Sequence, residues 1–292
     1  MRERGRQMAG KREKRRSWKK TPAVLAMLVV SAALLTPGGP AGAVREPARV
    51  KAEETVSAAR LAGSGKQNSG AEGKRTQAKT AAAVSEEPFG PVPESEAVED
   101  TYFEDAVFLG DSRTEGFRLY SGLKTGTYLC GVGATVESVF TKKVWPAEGK
   151  EKVPLLDALA ETGCGKVYLM LGINELGWSK EETFHDQYAK VIDRIREDHP
   201  DAEIILQTIL PVSAKQDAKG SYVNNQRIGV YNEVIRDLAE EKDCALVDVA
   251  EALAGEDGCL PKELHFDGVH LNPAGCKIWL EYLRTHSVEE KK

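Results

Sequence analysis

Residues 106–113 read Ala106-Val107-Phe108-Leu109-Gly110-Asp111-Ser112-Arg113. Four apolar residues make a run of buried-strand length, and Gly-Asp-Ser behind them supplies a turn followed by a helix start. Outward from this unit the same texture repeats. Thr127-Tyr128-Leu129 is a weaker second strand, and Lys166-Val167-Tyr168-Leu169-Met170-Leu171 is a third. Glu203-Ile204-Ile205-Leu206-Gln207-Thr208 is a fourth and Ala245-Leu246-Val247-Asp248 a fifth. Helical patterns fall between them. One spans Val153–Glu161, and another Lys180–Asp198, with Phe184, Tyr188, Val191, Ile192 and Ile195 near helical spacing and Pro200 ending it. Ile228–Lys242 carries Val230, Val234, Ile235 and Leu238, and Pro273 opens a last helix with Ile278, Trp279, Leu280 and Leu283. Strands alternating with helices predict the α/β class: a single three-layer α/β/α domain over residues 101–288, with a mostly parallel five-stranded sheet. About 190 residues are enough for such a core.

The ends of these strands carry the residues of interest. Ser112 follows the first strand, where open α/β sheets bind ligands and where a helix N-terminus favours negative charge. A Ser in that place is also an ordinary helix cap. Thr114 stands where Gly-x-Ser-x-Gly would need its second Gly, which argues against the nucleophile elbow of α/β-hydrolases. Gly131-Val132-Gly133-Ala134-Thr135 follows the second strand, where a Gly lets a backbone N–H approach a substrate oxygen or simply makes a turn. Gly172-Ile173-Asn174-Glu175 follows the third. An Asn amide there can donate to an oxyanion, and Asn is equally a common turn residue. Asp267-Gly268-Val269-His270 precedes the last helix. At this spacing His270 can act as a base and Asp267 can orient it, or the segment is a turn beside the capping Asn272. His265 is near enough to line such a site, with no assigned role. Each motif alone is weak, and the ordered set is specific.

The chain's charge is divided. The first twenty residues hold ten Lys/Arg against Glu3 and Glu13, a balance of +8, so the remainder of a chain with net charge −5 carries −13. A nucleic-acid binder keeps its positive charge on the folded part, so the basic head reads as a targeting device and no nucleic-acid partner is expected. The thirteen-residue apolar run Ala23–Leu35 follows, then Ala41-Gly42-Ala43, a small-x-small cleavage pattern. Residues 1–43 are thus expected to be an export signal or, uncut, an N-terminal membrane anchor, the only membrane contact. Either places the catalytic part outside the cytoplasm. Arg15-Arg16-Ser17-Trp18 faintly resembles a twin-arginine signal but has Lys19 where an apolar residue belongs. Residues 44–100 are rich in Ala, Ser, Gly, Lys, Glu and Pro, with Phe89 the single aromatic, and read as a flexible tether. Within them Ala62-Gly63-Ser64-Gly65-Lys66-Gln67 is no phosphate loop, because Gln67 replaces the Ser or Thr that binds magnesium and no strand precedes it. The five cysteines, Cys130, Cys164, Cys244, Cys259 and Cys276, show no CxxC spacing; most read as small buried hydrophobes.

Ser, Gly, Asn and Asp-x-x-His in this order resemble the SGNH (GDSL) family of serine esterases and acylhydrolases, over about Phe103 to His286. Tyr231-Asn232-x-x-Ile235-x-x-Leu238-Ala239 and His270-Leu271-Asn272-Pro273-Ala274-Gly275 also look like it. The resemblance implies an SGNH/flavodoxin-like fold, with Ser112 as nucleophile and oxyanion donor. It implies Gly133 and Asn174 as further donors, His270 as base, Asp267 as its partner, and no metal or organic cofactor. Arg113 stands where an apolar or small residue usually follows the Ser. It is harmless if only the turn's backbone matters, or it brings a positive charge that favours an anionic substrate. Glu175 replaces the usual Asp. The expected substrate is a short-chain O-acyl (acetyl) ester on cell-wall or extracellular carbohydrate, with Trp178 and the loop Gly220-Ser221-Tyr222-Val223-Asn224-Asn225 as candidate sugar contacts. Two other readings stay open: an O-acyltransferase with the same residues, and a catalytically silent cell-surface binding module.

Overall fold

The computed structural model describes residues 89–146, 149 and 151–289. The expected signal or anchor, and the expected tether as far as residue 88, lie outside the described residues. Among the described residues seven strands form, β1 (Ala106–Gly110), β2 (Thr127–Cys130), β3 (Lys143–Val144), β4 (Val153–Pro154), β5 (Lys166–Met170), β6 (Glu203–Gln207) and β7 (Ala245–Val247). Between and after them lie α1 (Ser112–Tyr120), α2 (Leu155–Ala160), α3 (Glu181–Asp198), α4 (Ala214–Asp217), α5 (Asn225–Glu241), α6 (Val249–Leu253) and α7 (Pro273–Thr285). The main sheet has the order β2-β1-β5-β6-β7 and every pairing in it is parallel. β3 and β4 make a separate two-stranded antiparallel ribbon.

Side chains alternate across the strands, and this builds the three layers. Val107, Leu109, Val167, Leu169, Ile204 and Leu206 pack under α2, α3 and α5. Ala106, Phe108, Tyr168, Met170, Ile205 and Val247 pack under α1, α6 and α7. On that second face Phe108 stacks between Tyr128 and Tyr168, each 5.0 Å away, and Phe117 meets Trp279 at 4.6 Å. Trp279 is wholly buried, and its indole N–H donates to Gln207 Oε1 at 2.9 Å, which pairs the buried indole donor.

The predicted helices are present with small shifts. In α3 the five predicted apolar residues are the buried ones. In α5 the inward face is Ile228, Tyr231, Asn232, Ile235, Leu238 and Ala239, while Val230 is exposed; in α7, Ile278 likewise turns outward. At 100° per residue each lies roughly 130–140° around its helix from the middle of the buried set, so it faces away from the core. The helix expected over Val153–Glu161 begins only at Leu155, because Val153-Pro154 pairs with Lys143-Val144.

Residues 92–98, which composition assigns to the tether, run along the domain. Val92 N–H donates to Leu246 O at 2.8 Å, Ser95 N–H to Thr285 O at 2.6 Å and Val98 N–H to Arg284 O at 3.0 Å. Val92 and Val98 add apolar contact with the second core, which a composition average over the Pro-rich stretch hides. All five cysteines are free, Cys244 and Cys276 buried and the other three half-buried. Among the described residues no helix is long and apolar enough to cross a membrane.

β1 sits where the chain order of the sheet reverses: β2 lies on one side of it and β5 on the other. Connections leave in opposite directions at such a point, and the gap above the strands' carboxyl ends is the usual ligand position.

Candidate active site

The turn after β1 is set by close packing. A Cβ on Gly110 would lie 2.6 Å from Met170 O and 2.1 Å from Thr114 Oγ1, so only glycine lets the start of α1 fold over the strand ends. Asp111 is the extended N-cap residue, and its carboxylate accepts from Arg113 N–H at 2.8 Å. Ser112 is therefore the first residue of α1, half-buried, with its backbone N–H among those that α-helix geometry leaves unpaired.

The loop before α7 comes to the same place. Ser112 Oγ lies 3.0 Å from His270 Nε2, and His270 Nδ1 lies 2.7 Å from Asp267 Oδ2. A carboxylate only accepts, so Nδ1 carries the hydrogen and Nε2 of the neutral ring is left to accept from the Ser112 hydroxyl. Asp267 Oδ1 also takes the backbone N–H groups of Val269 at 2.9 Å and His270 at 2.8 Å. Partial burial pushes the Asp267 carboxyl up. The His270 side-chain and backbone bonds outweigh it and hold the group well below the usual carboxylate range. Asp267 thus stays ionised at neutral pH, an acceptor for the His270 Nδ1–H. Gly268 has φ +95°, and a Cβ there would sit 2.5 Å from Ser213 Oγ, so glycine is required. Its N–H donates to His265 Nδ1 at 2.9 Å and its carbonyl accepts from Ser213 N–H at 2.9 Å.

The third side consists of the loops after β2 and β5. Gly131 N–H is already used, donating to Gly110 O at 3.0 Å. Gly133 has φ +68°, is exposed, and has open space where a Cβ would stand. Of the two glycines, Gly133 is the one with an N–H left for a substrate oxygen. Asn174 is exposed beside it. Its Nδ2 donates to Ala134 O at 2.9 Å and approaches Asp111 Oδ2 at 3.5 Å, a loose second contact that a substrate oxyanion could displace. The structure therefore brings Ser112, Asp267 and His270 into one hydrogen-bonded line, with Gly133 and Asn174 on neighbouring strand-end loops. Among the described residues no group of three or more His, Cys, Asp or Glu side chains could hold a metal ion.

Residues 108–278, more than half of the chain, match the GDSL-like lipase/acylhydrolase family. The chain belongs to that family. It is accordingly an ester hydrolase, and the five-stranded parallel sheet with flanking helices is the SGNH fold. No curated protein matches it. Among solved structures, a protein from Streptococcus pneumonia described as a candidate platelet activating factor is 24% identical, with TM-score 0.52, covering 61% of this chain and 81% of that one. A GDSL-like lipase from Bacteroides thetaiotaomicron is 18% identical, with TM-score 0.48, covering 64% and 88%. An acetyl xylan esterase is 18% identical, with TM-score 0.47, covering 61% and 96%. At 24% identity the likeness to the first of these speaks for the fold alone.

Within this GDSL-family site, several residues have roles that local sequence did not suggest. Arg113 is 3% exposed, and its Nη1 donates to Leu210 O at 2.6 Å. It does not present its charge to a substrate, so the anionic-substrate reading loses its basis. It ties the Ser112 turn to the loop after β6, whose Ser213 holds Gly268. Burial lowers the guanidinium pKa to about 10, partly offset by Asp111 and Asp267, so it remains a cation beside the buried Asp111 carboxyl. Asn232 Oδ1 accepts from Ile209 N–H at 2.7 Å and its Nδ2 donates to Ile209 O at 3.0 Å, pinning that same loop from α5. Trp178 is built into the wall, its N–H donating to Glu175 O at 2.8 Å and its carbonyl accepting from Arg227. Tyr222 is half-exposed, with its ring laid over Gly177.

Proposed function

We propose that this GDSL-family hydrolase is an extracytoplasmic serine esterase for short-chain, above all acetyl, esters on cell-wall or extracellular carbohydrate. The observation that carries the reading is the line Ser112 Oγ, His270 Nε2, His270 Nδ1, Asp267 Oδ2, with steps of 3.0 and 2.7 Å at its two hydrogen bonds. His270 takes the Ser112 proton as Oγ adds to the ester carbonyl, and Asp267 stabilises the imidazolium. The oxyanion receives the N–H groups of Ser112 and Gly133 and an Asn174 amide hydrogen. Collapse expels the alcohol, which takes the proton from His270, and leaves acyl-Ser112. Water then repeats the sequence and releases the acid.

Location rests on the basic head and the thirteen-residue apolar run. The carbohydrate preference is supported by an open site: the Asp267 side chain is 44% exposed, Asn174 is exposed, and the Tyr222 ring lies over Gly177, which follows Asn174 in the same loop, with area to stack on a sugar. The test is hydrolysis of p-nitrophenyl esters of increasing acyl length by the full chain and by Ser112→Ala. The expected result is activity greatest on acetate, reduced by about 10⁴-fold or more in the variant. A long-chain preference would redirect the reading to lipid, and acyl transfer to added sugar in place of water would redirect it to a transferase. Equal activity in the variant would end the serine mechanism.

A further inference from the structure

Glu175 follows Asn174 and is fully buried, yet the chemistry above gives it no part. Its Oε1 accepts from Val136 N–H at 2.6 Å, and its Oε2 has no hydrogen-bond partner. The backbone of Glu175 is itself fixed: its carbonyl accepts from Tyr231 Oη–H at 2.9 Å and from Trp178 N–H at 2.8 Å. The bond to Val136 joins two loops, the one that carries Gly133 and the one that carries Asn174. A second bond, Asn174 Nδ2 to Ala134 O at 2.9 Å, joins the same two. The spacing of the two proposed oxyanion donors outside Ser112 is therefore set by this pair of cross-loop bonds.

The surroundings also decide the charge that Glu175 can carry. Facing it are Asp111 from the β1–α1 turn and Tyr188 from α3, whose hydroxyl is buried and unpaired. Arg113 offsets Asp111, and no described cation pairs with Glu175 itself. A carboxylate at this point would lie unsolvated beside another carboxyl group, and behind the place where a negative oxygen forms during the reaction. A neutral carboxylic acid avoids both costs and keeps an acceptor oxygen for Val136. The balance of groups agrees: burial pushes the Glu175 carboxyl up to about 8 and Asp111 adds to the rise, outweighing the Val136, Glu175 and Asn174 backbone N–H groups that pull against it.

We propose that Glu175 is a positioning residue held as a neutral acid, whose oxygen clamps the Gly133 loop to Asn174 and whose ionisation opposes oxyanion formation. The inference rests on the oxyanion roles proposed for Gly133 and Asn174.

The test is kcat and KM on p-nitrophenyl acetate between pH 5.5 and 9.5, for the wild-type chain, Glu175→Gln and Glu175→Ala, with Ser112→Ala as baseline. Glu175→Ala should lose on the order of 10–10²-fold in kcat with KM changed by no more than about twofold, because only a transition-state contact is displaced. Glu175→Gln keeps the acceptor and the neutral charge. It should stay within about threefold of wild type at pH 7, and it should lack a fall in kcat that wild type shows with a midpoint near pH 8. Stability gives an independent readout. Folded wild type retains a proton that the unfolded chain gives up above its ordinary carboxyl pKa, so wild type loses stability as pH rises toward about 8. The melting temperature of Glu175→Gln relative to wild type should accordingly climb from pH 5 to pH 8. An alkaline fall in Glu175→Gln equal to that of wild type would overturn the inference. So would unchanged kcat in Glu175→Ala while Ser112→Ala is inactive. If the Ala variant does not fold, the Gln pH profile decides. Activity in Ser112→Ala would overturn the serine mechanism and this inference together.

Discussion

The two halves of the proposed reactive pair, Ser112 and His270, are held in opposite ways. Ser112 stands on a turn rooted in the interior: Asp111, Arg113 and Thr114 are each 1–3% exposed, and Gly110 allows no added atom against Met170 O. His270 stands on a loop half open to water, which shapes itself through Asp267 binding two of its own N–H groups, with His265 and Ser213 bracing Gly268. The proposed nucleophile is positioned by packing and the proposed base by a local hydrogen-bond template. Packing errors should therefore cost stability on the first side, while polar errors should cost turnover on the second.

The sharpest test of that contrast is Asp267→Asn. The amide oxygen can still accept from Val269 and His270 N–H, so the loop should keep its shape and the melting temperature should move little. kcat should nevertheless fall by about 10²–10⁴-fold, because the neutral amide neither fixes the tautomer nor stabilises the imidazolium. Steady-state kinetics beside a thermal melt would show it, and a large drop in melting temperature would break the comparison.

Gly110→Ala is the counterpart on the interior side. The new methyl meets a backbone carbonyl that cannot rotate away, so a loss of about 1–3 kcal/mol is expected, visible as a lower urea midpoint. Any loss of activity should follow the loss of folded protein. The smallest effect should come from His265→Ala. It removes one acceptor from a loop that water can reach, worth about 0.5–1.5 kcal/mol, with kcat lowered only a few-fold. A loss as large as that of Asp267→Asn would mean that His265 takes part in proton transfer.

Much of the fold was legible because the strands are short apolar runs and the long helices keep their periodicity. β1, β5 and β6 fall where the runs of Val, Leu and Ile stand, and α3 buries the residues that its spacing predicted. The short elements α4 and α6 and the β3–β4 ribbon were not legible. The helices, at four and five residues, are far shorter than the window over which a helical period is read, and β3 and β4, at two residues each, are too short to make an apolar run. The turn of Val230 and Ile278 toward water was missed because apolar content marks a helix without fixing which face meets the core.

By itself the sequence determined the alternation of strands and helices, and it put Ser, Gly, Asn and Asp-x-x-His on the successive loops that a parallel sheet gathers at one edge. Those are properties of neighbouring residues, and neighbours share local geometry. Only the tertiary structure decided that Gly131 N–H is spent on Gly110 and Gly133 is left open. It also decided that Arg113 faces inward to Leu210, and that Glu175 reaches a backbone amide 39 positions earlier in the chain. Each of these depends on which distant backbone group arrives within 3 Å, and that follows from how the layers pack, which no local pattern records.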